Sequence, residues 1–251
     1  MVRRIALALV AALAMAAPVA AETLVASVSS SRIEISSDFS GTTLVVFGVI
    51  ERDAATVARP GGYDVVVVIR GPNEEVVARR KQRTFGIWVN RESERFPQAP
   101  SFYSVDSTRP LEEITSPEIL SAHDLGLRYA DFGRGPGKGN EPFRDALIRI
   151  REGAGLFAQR GGTVTMLTPT FFQVGVPLPG TVPDGRFTVE ISLFGDGALL
   201  AHNIADLAVE KTGFEDAVHV IAGEQPLLYG FVAVAMAIFA GWLGGVVFRR
   251  D

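Results

Sequence analysis

The densest group of side chains that could bind an anion is basic and consists of Arg79, Arg80, Lys81 and Arg83. The surrounding residues predict a strand, and alternation along a strand places Arg79, Lys81 and Arg83 on one face. Cationic groups on one face could hold a small anion or contact an acidic partner. Charged strands also commonly expose one face to water or protect an edge from pairing. These three residues are therefore a candidate anion or partner contact, and a solvated face is the alternative.

A second basic candidate lies in the glycine-rich segment 133–140, which contains Arg134 and Lys138. Phosphate-binding loops combine backbone N–H groups with a lysine. Here no Ser or Thr follows Lys138, and Pro136 removes one of the amides. The segment is typical of a connector, in which Arg134 and Lys138 could still contact an acidic partner.

Residues that could support catalysis or bind a metal ion form no recognisable motif. The histidines at His123, His202 and His219 are dispersed, with no HExxH or GxSxG pattern, and cysteine is absent. Ser121, His123 and Asp124 include the residue types of a triad, but adjacency in sequence does not produce triad geometry. We predict a non-enzymatic protein with no catalytic residue, metal site or cofactor.

The elements that would position these residues are mostly strands. Runs of β-branched and aromatic residues bounded by Gly and Pro predict strands at 32–35, 42–51, 63–70, 74–81, 84–90, 163–167, 170–177, 186–194 and 198–210. A shift of 124 residues places Tyr63 on Phe187 and Gly71 on Gly195 without a gap. Such a match predicts two related modules of the immunoglobulin or fibronectin sandwich type. Unrelated amphipathic hairpins align equally well, so duplication and coincidence both stay open.

A helical insert separates the two predicted modules. Pro110 and Pro117 precede acidic residues, as at helix starts, and Phe143, Leu147 and Ile150 have the spacing of an amphipathic helix. The prediction is a mainly β fold with the following divisions: β-module 1 at 22–108, a helical insert at 109–160, β-module 2 at 161–213 and a juxtamembrane segment at 214–226. The sequence leaves open whether the two modules share one core.

Two apolar segments flank this body and differ in kind. Residues 1–21 combine two arginines, a short apolar run and small residues, which predicts a cleavable signal peptide. Residues 227–248 carry no charged side chain, and a helix of this length extends about 33 Å, enough to cross a bilayer core. Arg249 and Arg250 follow directly, so we expect a cytoplasmic tail at 249–251 and an exported body.

The charge of the exported part limits its partners. The chain has a net charge of −4, and the part between the apolar segments holds 20 basic and 27 acidic side chains. This acidic balance argues against nucleic acid, and against general adhesion to anionic lipid, as the main task.

The predicted membrane helix has a face of small residues. Ala233, Ala237, Gly241 and Gly245 recur every four positions, and the last two form a GxxxG pattern. Small residues at this spacing allow a second helix to approach closely. The partner could be another copy of the chain or a different membrane protein, and a face that meets only lipid is the alternative.

Several short runs resemble a known family. They occur at 37–42, 48–53, 86–90, 194–197, 227–230 and 247–251. They are similar to the putative transmembrane protein family of alphaproteobacteria over essentially the whole mature chain. This resemblance implies an inner-membrane protein with one C-terminal span and a periplasmic body, often encoded beside a sulfite-exporter-like permease. It implies no catalytic residues.

Together these features predict a non-enzymatic, membrane-anchored periplasmic accessory or interaction subunit of an inner-membrane assembly. The resemblance suggests a sulfite-exporter-like permease as the partner. The alternative is a tethered periplasmic binding module for a small anion.

Overall fold

The computed structural model describes residues 22–36, 39–52, 62–133, 141–212 and 222–247. The strands are β1 (Thr23–Val28), β2 (Arg32–Ile35), β3 (Gly41–Glu51), β4 (Asp64–Arg70), β5 (Asn73–Thr84), β6 (Ile87–Pro100), β7 (Tyr103–Ser107), β8 (Phe157–Gly161), β9 (Thr165–Thr168), β10 (Phe171–Pro179), β11 (Gly185–Gly195) and β12 (Ala198–Lys211). The helices are α1 (Leu111–Ile114), α2 (Pro117–Ala122), α3 (Glu141–Gly153) and α4 (Pro226–Val247). The predicted signal peptide, the predicted tail, and Arg134 and Lys138 lie outside the described residues.

The strands form two stacked sheets and a separate hairpin. The outer sheet has the antiparallel order β1-β3-β10-β9. The central sheet has the order β2-β12-β11-β4-β7-β8, in which β2 is parallel to β12 and β8 is parallel to β7. Strands β5 and β6 pair with each other as a long hairpin. The prediction of a mainly β fold is confirmed.

Burial along the strands explains the layering. In β3, Leu44, Val46 and Ile50 are buried while Phe47 and Val49 are exposed, so the outer sheet covers a core on one face. In β4, every residue from Val65 to Ile69 is fully buried, as expected of a strand covered on both faces. The outer sheet covers one face of the central sheet. The α1–α3 region lies on the other, where Tyr103 Oη donates to Asp124 O at 2.8 Å.

The two predicted β-modules are not separate in the structure. Strand β3 pairs with β10 and β4 pairs with β11, so residues of both predicted modules contribute to each sheet. Their buried residues form one hydrophobic cluster. This corrects the division into two sandwiches and answers whether the halves share a core. The sequence shows where strands lie, but pairing partners more than 100 residues apart leave no local pattern.

The aligned hairpins of the two halves also differ. Strands β11 and β12 form a hairpin through a turn at Asp196 and Gly197. In the first half, β4 belongs to the central sheet and β5 leaves it to pair with β6. Gly71 marks this departure, since a Cβ there would lie 2.6 Å from Ser101 Oγ. The predicted strands at 74–81 and 84–90 are the two arms of one longer hairpin.

Helix α4 has 22 residues, and its described side chains are almost all exposed. The buried hydrophobic cluster ends at Val209 and includes no residue of α4. Among helices of the described residues, none meets the joint requirement of length and hydropathy for a membrane span.

Candidate functional sites

The basic hairpin is the first candidate site. Arg79, Lys81 and Arg83 lie on β5 with exposed side chains. The register places Arg79 opposite Ser93, Lys81 opposite Asn90 and Arg83 opposite Trp88. The predicted strand at 74–81 includes Arg79 and Lys81 and ends before Arg83, whereas β5 includes all three residues. Their alternation is compatible with one shared face.

The tip of this hairpin is apolar and tightly turned. Phe85 and Gly86 form a two-residue loop, with φ angles of 51° and 87°. Phe85 is fully exposed, and Ile87 and Trp88 are 64% and 69% exposed. Aromatic residues on a predicted strand are expected in the core, and for Phe85 and Trp88 this expectation is wrong, because both side chains are exposed at the tip. Aromatic residues next to a glycine on a predicted strand were the available signal.

A pocket of about 700 Å³ is a second candidate. It lies between α3 and the loop at residues 127–129. Its lining residues are Ser121, Leu127, Arg128, Tyr129, Glu141, Arg144, Asp145, Ile148, Glu152 and Gln159. This lining has three acidic and two basic side chains.

Arg144 is the unusual residue of this pocket because it is almost completely buried. Its Nη2 group donates to the carbonyl oxygens of Leu127, Arg128 and Ala130 at 3.0, 3.2 and 2.7 Å. The guanidinium carbon lies 4.2 Å from the centre of the Phe132 ring. Nη1 is buried without a hydrogen-bond partner among the described residues, and burial lowers the pKa of this guanidinium. Arg144 therefore holds the loop at residues 127–130 in place. Its Nη1 group could still donate hydrogen bonds to another molecule.

A polar cluster on the helical side of the central sheet ties the same loop to the strands. Arg70 Nε lies 3.4 Å from Glu190 Oε1, and Arg70 Nη2 donates to Asp124 O at 3.1 Å. Burial raises the pKa of Tyr103 to about 12, so its hydroxyl stays protonated and donates to the same carbonyl. Burial also raises the pKa of Asp124. These contacts fix the loop at residues 124–126, which gives the cluster a structural role.

A buried carboxylate lies on the opposite face of the central sheet. Asp106 accepts hydrogen bonds from Arg160 Nε and Nη2, both at 2.9 Å. Thr163 Oγ1 and Ser104 Oγ donate to it at 2.8 and 3.0 Å. Both carboxylate oxygens are satisfied, so this network joins β7 to β8 and offers no free group for chemistry.

The histidines do not assemble into a catalytic group within the described residues. His123 ends α2, where its backbone N–H bonds to Ile119 O. His202 Nδ1 lies 3.3 Å from Ser192 Oγ across β11 and β12, and His219 lies outside the described residues. The described chain also holds no group of three or more His, Asp or Glu residues that could bind a metal ion.

The small-residue face of α4 is open. Ala233, Ala237, Gly241 and Gly245 are exposed, and a Cβ added at Gly241 or Gly245 would meet no atom within 4 Å among the described residues. This helix face is therefore free to contact another helix.

The architecture defines a class of protein: a layered β-body followed by an apolar, charge-free C-terminal helix. A family model described as "Putative transmembrane protein (Alph_Pro_TM)" matches residues 23–250, and the chain belongs to this family. This confirms the family resemblance seen in the sequence, and the family description indicates membrane association. No curated protein matches the chain significantly.

Proposed function

We propose that α4 is a single C-terminal membrane span, on the strength of the full sequence and the family description, although its described part alone does not meet the combined length and hydropathy requirement. Its 22 residues would extend about 33 Å along the helix axis, close to the thickness of a bilayer core. The sequence from 227 to 248 contains no charged residue. Large apolar side chains such as Phe231, Ile238 and Phe239 are exposed around it. In water this surface would carry a large hydrophobic cost, which a lipid environment removes.

The proposed orientation places the body in the periplasm and the C-terminus in the cytoplasm. Arg249 and Arg250 follow the helix, and positive residues are retained on the cytoplasmic side. The predicted signal peptide at 1–21 supports export of the body. Together with the family membership, these features favour the inner membrane.

The body itself is proposed to be a non-enzymatic accessory or interaction subunit of an inner-membrane assembly. The observation that carries this proposal is the open small-residue face of α4, because close helix packing needs such a face. A sulfite-exporter-like permease is the partner proposed from the family resemblance, and self-association is the other outcome.

Cross-linking of the full-length, tagged protein in its native membrane tests this role. We expect a single membrane protein to be recovered, and Gly241→Ile with Gly245→Ile to abolish its recovery. Ala235→Ile is the matched control, since it enlarges a small residue on the opposite side of the helix. Equal recovery with both variants would contradict a contact through this face. If the only cross-linked partner is a second copy of the same protein, the helix face serves self-association and the accessory role is contradicted.

A second candidate function is the binding of a small anion, and the unpaired Nη1 of Arg144 favours it. Calorimetry of the full-length protein with sulfite, sulfate and methanesulfonate tests this function. We expect any binding in the pocket to be lost in Arg144→Gln, which keeps amide donors for the loop carbonyls. Loss in Lys81→Ala with Arg83→Ala instead would place the anion on the hairpin. Absence of heat with all three anions would exclude this candidate for these ligands.

A further inference from the structure

The β5–β6 hairpin extends beyond the part of it that packs on the body. At its base, Phe96 and Ala99 are buried in the core, and Arg151 pairs with Glu74. Farther along β5, Arg80 contacts α3, and its guanidinium carbon lies 5.1 Å from the centre of the Phe143 ring. Beyond it, residues 81–90 are exposed or only partly buried.

The turn sequence of this hairpin is costly for folding. The β11–β12 hairpin has almost the same turn, with φ angles of 51° at Asp196 and 84° at Gly197. It uses Asp-Gly, the type of pair that such turns favour. The β5–β6 hairpin places Phe85 at the equivalent position, where a bulky side chain at positive φ is strained. Phe85 is also fully exposed, so neither the backbone geometry of the turn nor packing in the core explains why a phenylalanine occupies this position.

The charge of the hairpin is opposite to that of the whole chain. Residues 79–91 contain five basic and no acidic side chains, whereas the chain is net negative. Arg80 pairs with Glu92 at 3.2 Å. Arg79, Lys81, Arg83 and Arg91 have no ion-pair partner among the described residues. Their charges are therefore available to an external anionic surface.

The order of side chains along the hairpin matches the depth profile of a membrane interface. Phe85, Ile87 and Trp88 lie at the end, and Lys81 is three residues behind Thr84, or about 10 Å at 3.3 Å per residue. Interfacial segments bury their apolar residues about 5–10 Å below the headgroups, with cations at phosphate level. Trp88 is the cross-strand neighbour of Arg83, which gives one amphipathic pair at the boundary.

We propose that the β5–β6 hairpin tip inserts Phe85, Ile87 and Trp88 into the interface of an anionic bilayer, with Lys81, Arg83 and Arg91 on lipid phosphates. The acidic balance of the body opposes general adhesion to such a surface. It does not prevent contact by the tip, because screening over about 8 Å at physiological salt makes the local charge decisive. An acidic protein would satisfy the cations, but it would not by itself account for the exposed apolar side chains at the hairpin tip.

The two tryptophans of the chain provide separate probes, since Trp88 lies on the hairpin and Trp242 on α4. Full-length Trp242→Phe is reconstituted into phosphatidylcholine vesicles with or without phosphatidylglycerol, with brominated acyl chains as quencher. We expect Trp88 emission to shift to shorter wavelength and to lose about half its intensity with phosphatidylglycerol, and both effects to weaken at high salt. Trp88→Phe, which leaves Trp242, reports insertion of α4 in the same vesicles.

Charge reversal separates the hairpin from the rest of the surface. Lys81→Glu with Arg83→Glu should abolish the quenching of Trp88, whereas Arg149→Glu with Arg186→Glu changes the same charge at exposed sites elsewhere and should not. Circular dichroism verifies that each variant is folded. Quenched Trp242 with unquenched Trp88 would overturn the inference and leave the membrane span intact. Unquenched Trp242 with quenched Trp88 would overturn the span alone.

Discussion

At the scale of single residues, Asp106 shows why a buried charge need not indicate an active site. Its carboxylate is fully buried and accepts four hydrogen bonds, two of them from Arg160. Removing one member of such a pair leaves the other charge poorly compensated. The network should therefore act on stability and leave binding by the hairpin and α4 unaffected.

We predict that Asp106→Ala lowers the free energy of unfolding by about 3 kcal/mol, measured by urea denaturation. The partly exposed Arg160 side chain places this value at the low end for a broken buried pair. Glu34→Ala, at an exposed position on β2, is the control and should change stability little. An unchanged midpoint in Asp106→Ala would show that water compensates Arg160 fully.

Asp64 makes stability depend on pH. Burial alone would raise the pKa of Asp64, but hydrogen bonds from Arg109 and Thr108 outweigh it and hold the pKa below its usual value. A carboxylate with a lowered pKa in the folded state adds stability above its unfolded pKa of about 4, and this gain is lost as pH falls through the folded value. Both side chains are partly exposed, so the contribution should not exceed about 1 kcal/mol.

The prediction for Asp64→Asn is a loss of stability at neutral pH that disappears on acidification. Urea denaturation of both proteins at pH 7 and at about pH 2 measures the difference. A difference that stays constant across this range would show that Asp64 acts through packing or its bond to Thr108 instead of through its charge.

At the scale of elements, the Phe85-Gly86 turn lowers the local stability of the β5–β6 hairpin. We predict that Phe85→Asn stabilises the hairpin by about 0.5–1 kcal/mol, because Asn tolerates positive φ and the Asn-Gly pair suits this turn. Protection of the hairpin amides from hydrogen exchange measures the effect where it occurs, since the tip need not unfold with the core. Lower protection in the variant would mean that Phe85 makes a stabilising contact on the hairpin.

Element types could be read from the sequence far better than their partners. The run of valines in β4 and the alternation in β10 predicted strands correctly. A strand buried on both faces has a continuous apolar run, and a strand buried on one face alternates, so both patterns are visible in the local sequence. Strand β7 was missed because its sequence, Tyr-Ser-Val-Asp-Ser, is too polar to predict a buried strand. Burial of Ser104 and Asp106 depends on hydrogen bonds that form only in the folded structure. The pocket was missed as well, because Arg144 is brought to the carbonyls of residues 127–130 by tertiary packing alone.

At the scale of the whole molecule, long-range pairing makes the body one folding unit. Residues 22–108 contain β3 and β4 but lack β10 and β11, the strands that pair with them. Without these strands, buried apolar side chains on both sheets would meet water. At about 2 kcal/mol each, exposing five of them costs about 10 kcal/mol, which matches the whole stability of a typical domain.

We therefore predict that residues 22–108 produced alone do not fold, whereas residues 22–212, which contain the complete buried cluster, unfold cooperatively. Heteronuclear NMR dispersion and urea denaturation distinguish the two cases. Recovery of the native spectrum on mixing 22–108 with 109–212 would support a single core assembled from both halves. A well-dispersed spectrum from 22–108 alone would restore the two-module interpretation, and β10 and β11 would then be additions to an independent sheet.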